Sequence, residues 1–195
     1  MQDVLIDNIL NWYDSSDFSH AEALAITEIP DRTLQIWHQR GHLNRMEMTA
    51  RGRGKRRKYT LGQLLFLGYM RRLTFLSVPV GEAAQIASGF LSSAAPAGTP
   101  RGAVVPIQIA SILPALEAAA DPMTSDGRIF GLIYRTVDDE WRHRIAGISE
   151  LTQFGGLAQW ISTCTLDGMA LVTDLGQLAR ATIARALDAR RKRRQ

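Results

Sequence analysis

Apolar residues recur at helical spacing through the first half of the chain and shift toward β-type composition in the second. Val4, Leu5, Ile9, Trp12 and Tyr13 predict a short amphipathic helix over residues 3–13. In the next segment Asp17 or Ser19 can cap a helix, Glu22 standing three after Ser19 at the spacing of a capping box, and that helix is expected to turn Ala21, Leu24 and Ala25 inward. Pro30 disfavours helical backbone at Ile29 and breaks the pattern. A second helix, DRTLQIWHQR, begins at Pro30 or Asp31 and stops at Gly41. Leu34 and Trp37, with Ile36 beside them, form its buried side, and Arg32, Thr33, Gln35, His38 and Gln39 point outward.

NRMEMTARGRGKRRKY, with two glycines and a charge run, reads as an exposed loop or β-hairpin tip. Thr60 then caps LGQLLFLGYMRRL, whose core candidates are Leu61, Leu64, Leu65, Leu67 and Leu73. SVPVGEAAQIASGFL supplies a turn and a further amphipathic helix. Residues 92–106, rich in Ala, Pro, Gly and Ser, form the expected linker between a domain at 1–91 and another at 107–195. Beyond it IQIASILPALEAAA predicts a short helix, and RIFGLIYRTV, GLAQWISTC and GMALVT predict strands. The last helix begins at Asp174, with Leu175, Leu178, Ile183 and Leu187 on one side. The fold class is therefore α+β, mostly helical in its N-terminal part.

Charge changes this picture more than composition does. The chain has 195 residues, 46% hydrophobic and 22% charged, which is ordinary for a globular protein, and its net charge is only +4. That charge is unevenly placed. Residues 1–31 carry −7, residues 32–72 carry +10, residues 73–185 carry −3 and residues 186–195 carry +4. A block of +10 between acidic neighbours marks a face that meets a polyanion, with nucleic acid the leading candidate. Within it RGRGKRRK sets six cations in eight positions. In isolation such a run is a solvated loop; directly after two short helices joined by a turn it is placed to neutralise phosphates.

Other chemistry is excluded or subordinate. One cysteine, Cys164, rules out an intramolecular disulfide and any multi-thiolate site, and its apolar surroundings make it a core thiol. Asp138, Asp139, Glu140 and His143 read as an acidic turn between strands, the alternative being a metal site. No nucleophile elbow, P-loop, dinucleotide fingerprint or zinc-protease pattern occurs, so neither catalysis, a metal nor a cofactor is expected. The acidic N-terminal segment lacks the cations of a secretory signal and no apolar window reaches about 20 residues, so a cytoplasmic protein without a membrane segment is expected. The tail ARRKRRQ has two readings: cations at the negative end of a helix dipole, or a supplementary grip on DNA.

The motifs in this order resemble the DNA-binding domain of the MerR family of transcription regulators. The matching stretches are IPDRTLQIWHQRGHL at 29–43, RKYTLGQL at 57–64 and LTFLSVPVGEAA at 73–84, and the resemblance covers about residues 19–90. It implies a winged helix-turn-helix with Arg32, Thr33 and Gln35 on the recognition helix, reading base edges in the major groove of double-stranded DNA. It also implies a basic wing, with His38, Arg40, Arg51, Arg53, Lys55, Arg56, Arg57, Lys58 and Tyr59 expected at or near the phosphate backbone. Pro96, Pro100, Pro106 and Pro114 do not suit the family's long dimerisation helix, so a homodimer is expected to form through the C-terminal domain. Three roles remain open: a sequence-specific regulator, with repression favoured; a sensor whose C-terminal domain binds a small effector; and an RNA-binding or architectural module.

Overall fold

A computed structural model describes residues 18–44, 57–92, 129–136, 138–153, 155–164 and 170–195. The expected helix at 3–13, most of the basic loop, nearly all of the linker and the helix expected at 107–120 lie outside the described residues. The chain divides into two compact units, one of Met1–Ser88 with Leu178–Gln195 and the other of Gly89–Gln177. The last helix thus belongs mostly with the N-terminal unit.

In the first unit, β1 (Phe18–Ser19) leads into α1 (His20–Thr27). Ser19 caps α1 through a reciprocal box: its Oγ accepts from the Glu22 amide, and Glu22 accepts from the Ser19 amide at 2.8 Å. The buried face of α1 is Ala23, Ile26 and Thr27, while Ala21 and Ala25 are exposed and Leu24 half-buried. This corrects the expected face. HAEALAIT is apolar nearly all round, so its sequence pattern does not select a side, and packing decides. Thr27 is accommodated because its hydroxyl donates to the Ala23 carbonyl at 2.6 Å.

Glu28 ends α1 in a left-handed conformation (φ 53°), and α2 follows over Asp31–Gln39. Leu34 and Trp37 are buried, and Ile36 is half-buried. Gly41 (φ 74°) terminates the helix, and a side chain there would crowd Asn44 as well as strain the backbone. β2 (Lys58–Tyr59) pairs antiparallel with β1, Phe18 opposite Tyr59 and Ser19 opposite Lys58.

Thr60 and Gln63 form a second capping box at the start of α3 (Leu61–Phe75). Leu61 to Leu67 are buried without interruption, so α3 is the central helix of this unit. α4 (Val80–Ser92) turns Ala83, Ala84, Ile86 and Ala87 inward.

The second unit is built on a three-stranded antiparallel sheet ordered β4-β3-β5, from β3 (Ile129–Arg135), β4 (Trp141–Gly147) and β5 (Ala170–Asp174). Between β4 and β5 lie α5 (Ile148–Gln153) and α6 (Leu157–Cys164). Leu132, Ala146, Leu151 and Trp160 form a buried cluster, edged by Phe130, Tyr134, Ile161, Ala170 and Val172.

The segment 156–164, expected as a strand, is helical. Leu157, Trp160, Ile161 and Cys164 follow a 3, 4, 7 spacing, and that period overrides the β-branched composition. The strand expected over 128–137 ends at Arg135, because Thr136–Glu140 is the turn joining β3 to β4. The strand β4 and helix α5 were not anticipated.

Finally, α7 (Leu175–Arg193) follows β5 directly, and the Asp174 carboxylate accepts from the Gln177 amide at 2.8 Å to cap its first turn. Within the first unit α7 buries Ala179, Thr182, Ile183 and Ala186. A Cβ on Gly68 would lie 3.3 Å from the Thr182 hydroxyl, so glycine permits this close approach of α7 to α3.

Candidate nucleic-acid interface

The outward side of α2 is set by its period. With Leu34 and Trp37 committed to the core, Arg32, Gln35 and Gln39 fall at i, i+3 and i+7 along one exposed stripe. Thr33 and His38 flank it half-buried, and Arg40 is exposed at the helix exit. Arg57 and Lys58 are exposed beside this face, at the point where β2 pairs with the entrance to α1. Gln35, His38, Gln39 and Arg57 line an open cleft, and Ser19, His20 and Ala21 continue it on the other side of Gln35 and Arg57. Arg51, Arg53, Lys55 and Arg56 lie outside the described residues.

A chain of hydrogen bonds underlies this face and joins three elements. Gln35 Nε2 donates to Asp31 Oδ2 at 2.9 Å, and the other oxygen, Oδ1, is 2.8 Å from His20 Nε2. His20 Nδ1 is 3.1 Å from the Tyr59 hydroxyl, which is in turn 3.5 Å from His38 Nε2. A carboxylate only accepts, so Nε2 of His20 carries a proton. In the tautomer protonated at Nε2, Nδ1 accepts from the Tyr59 hydroxyl, whose oxygen in turn accepts from His38 Nε2.

The electrostatics maintain that arrangement. Burial from water, assisted by the Arg57 charge, pushes His38 down from 6.5 to about 4, so its imidazole is neutral at ordinary pH. Burial raises the Tyr59 hydroxyl above its usual value, against the nearby Arg57 guanidinium, and keeps it protonated. The hydrogen bond from His20, with that from Gln35, holds Asp31 below the usual carboxylate range despite some desolvation.

Two residues expected at the phosphates therefore sit differently. Tyr59 is fully buried and presents no surface to solvent, because β2 carries it inward opposite Phe18. His38 is half-buried and uncharged. Both support the face from beneath. His20 and Asp31 were missed as members of the site. Their partners lie 39 and 11 residues from His20, and no local pattern joins them.

The acidic turn of the second unit is a turn. Thr136 and Glu140 exchange backbone and side-chain hydrogen bonds, and Arg135 pairs with Asp139 at 2.6 Å. Among the described residues, no group of His, Cys, Asp and Glu is arranged to hold a metal ion. None of their helices is long and apolar enough to cross a membrane.

Two short helices joined by a turn, the second polar and cationic outward, form a helix-turn-helix arrangement, the kind that sets its second helix in the DNA major groove. Residues 18–89 match the family model described as MerR HTH family regulatory protein. This segment is thus similar to the helix-turn-helix domain of MerR-type regulatory proteins, and the similarity covers these residues alone. The match begins at β1 and ends where the first unit gives way to the second. No curated protein matches the chain.

Proposed function

We propose that the protein binds a specific sequence of double-stranded DNA as a homodimer and represses transcription by occupying that site. The observation carrying this reading is the exposed stripe Arg32, Gln35 and Gln39 on α2, beside the exposed cations Arg57 and Lys58. Arg32 suits guanine O6 and N7, and Thr33 reaches a base edge or a phosphate. Gln35 suits adenine. Asp31 occupies one of its N–H groups and fixes the amide, leaving the second N–H for N7 and the carbonyl for the adenine amino group.

Arg40, Arg57 and Lys58, with Arg51, Arg53, Lys55 and Arg56 of the wing, neutralise phosphates and supply affinity without sequence information. His38 and Tyr59 act as positioning residues, holding α2 and the wing base in register. Dimerisation falls to the sheet-containing C-terminal part of the chain. Two recognition helices related by a two-fold axis double the sequence that can be read. Selection from a random duplex library with the full chain tests this reading. One enriched, palindromic motif is expected, and no enrichment above input would overturn it.

A further inference from the structure

The C-terminal helix brings a second cluster of cations to the DNA-binding unit. α7 runs antiparallel to α1 within that unit. Arg185 meets the C-terminal end of α1, donating to the Ile26 carbonyl at 3.1 Å and pairing with Glu28 at 2.7 Å. Arg193 meets the N-terminal end, donating to Glu22 Oε1 at 2.5 Å with its guanidinium 5.6 Å from the centre of the Phe18 ring. Eight residues separate the two arginines, about 12 Å of helix, which matches the eight-residue length of α1.

Glu22 is also the acid of the α1 capping box, its Oε2 accepting from the Ser19 amide and hydroxyl. Partial burial works to raise its pKa, but the Ser19 hydrogen bonds and Arg193 prevail and lower it, so the tether is charged at ordinary pH. Phe18 and Ser19 pair with Tyr59 and Lys58. Arg193 is thus fastened to the strand pair that carries the wing base. The helix dipole accounts for one or two cations in a last turn. It does not account for five cations in five consecutive positions, where like charges repel, nor for one of them being committed to a distant helix. A polyanion alongside would relieve that repulsion.

Resting on the function proposed above, we infer that Arg191, Lys192 and Arg194, all exposed, form a third phosphate-binding element. It lies at the N-terminal end of α1, beside the strand pair of Phe18–Ser19 and Lys58–Tyr59, and grips the DNA backbone there. In helix-turn-helix proteins the first helix crosses the backbone, so its N-terminal end is where such a grip falls.

The test measures affinity for the selected duplex between 50 and 200 mM salt, comparing the full chain with its R191Q/K192Q/R194Q variant. Three lost phosphate contacts make the log–log slope shallower by about 2.7, so over that range the wild type loses about 40-fold more affinity than the variant. The variant should select the unchanged motif, since no base contact is removed. An unchanged slope, with unchanged thermal stability, would overturn the inference while leaving specific DNA binding intact. So would a variant that loses binding to phosphatidylserine vesicles and keeps its DNA slope. Failure of the wild type to select any motif would instead overturn the function on which the inference rests.

Discussion

The two units treat their charged side chains differently. In the helix-turn-helix unit, polar groups bond between elements distant in sequence. Tyr59 meets His20, Arg71 and Arg185 both meet Glu28, and Arg193 reaches Glu22 across 171 residues. Among the described residues of the sheet unit, the pairs Arg135–Asp139 and Arg142–Glu140 span four and two residues and close or flank a single turn. Local pairs hold a turn; long-range bonds hold the relative positions of helices. On the proposed function, a surface that must match the spacing of a DNA groove needs the second kind, because a small shift of α2 against its neighbours would misplace its exposed stripe.

The largest effect that sharpens this comparison comes from the cores. Leu64→Ala in α3 should cost about 2–5 kcal/mol in chemical denaturation and sharply reduce DNA binding. Leu132→Ala in β3 should cost a similar amount, and, on the homodimer proposed above, its effect on DNA should appear through dissociation seen by light scattering. If Leu64→Ala leaves DNA affinity intact, α3 is not the support of the proposed interface. Next in size, Arg57→Gln with Lys58→Gln should weaken binding to all duplexes alike and make the salt slope shallower by about 1.8, whereas Arg135→Gln should leave it unchanged.

The buried relay gives a smaller effect. Tyr59→Phe removes a hydroxyl bonded to His20 and within reach of His38, and should cost about 1 kcal/mol of stability. A stability equal to wild type would show that the relay is incidental.

The pH dependence follows from His38. Its folded value, about 4, lies below the ordinary 6.5, so the unfolded chain binds more protons between those values. Stability from this group is complete above pH 6.5 and is lost as pH falls toward 4. His38→Gln should flatten that part of the stability profile. The smallest effect belongs to the sheet unit: Glu140→Gln breaks an exposed pair and should change stability by less than about 1 kcal/mol.

Much of the first unit was legible because its signals are local. Ser19 with Glu22 and Thr60 with its buried leucines set helix starts, and Pro30 and Gly41 bracket α2. The face of α1 was not legible, since HAEALAIT presents alanine or a larger apolar group on every side. In the second unit Trp141, His143 and Ile145 alternate with exposed Arg142 and Arg144, a period-two pattern that charge had obscured. The stretch at 157–164 misled in the opposite sense, its composition speaking for a strand and its spacing for a helix. The bonds from His20 to Tyr59 and from Arg193 to Glu22 join segments 39 and 171 residues apart, and only the fold brings them together.

The central claim is that α2 chooses the sequence while the cations around it supply affinity. Selection from a random duplex library, run in parallel with the wild type and Gln35→Ala, tests it most directly. The predicted result is the same motif with preference lost at one base pair in each half-site, a change of about 1–3 kcal/mol in discrimination there. An identical motif from both proteins would contradict the assignment of Gln35 to base reading.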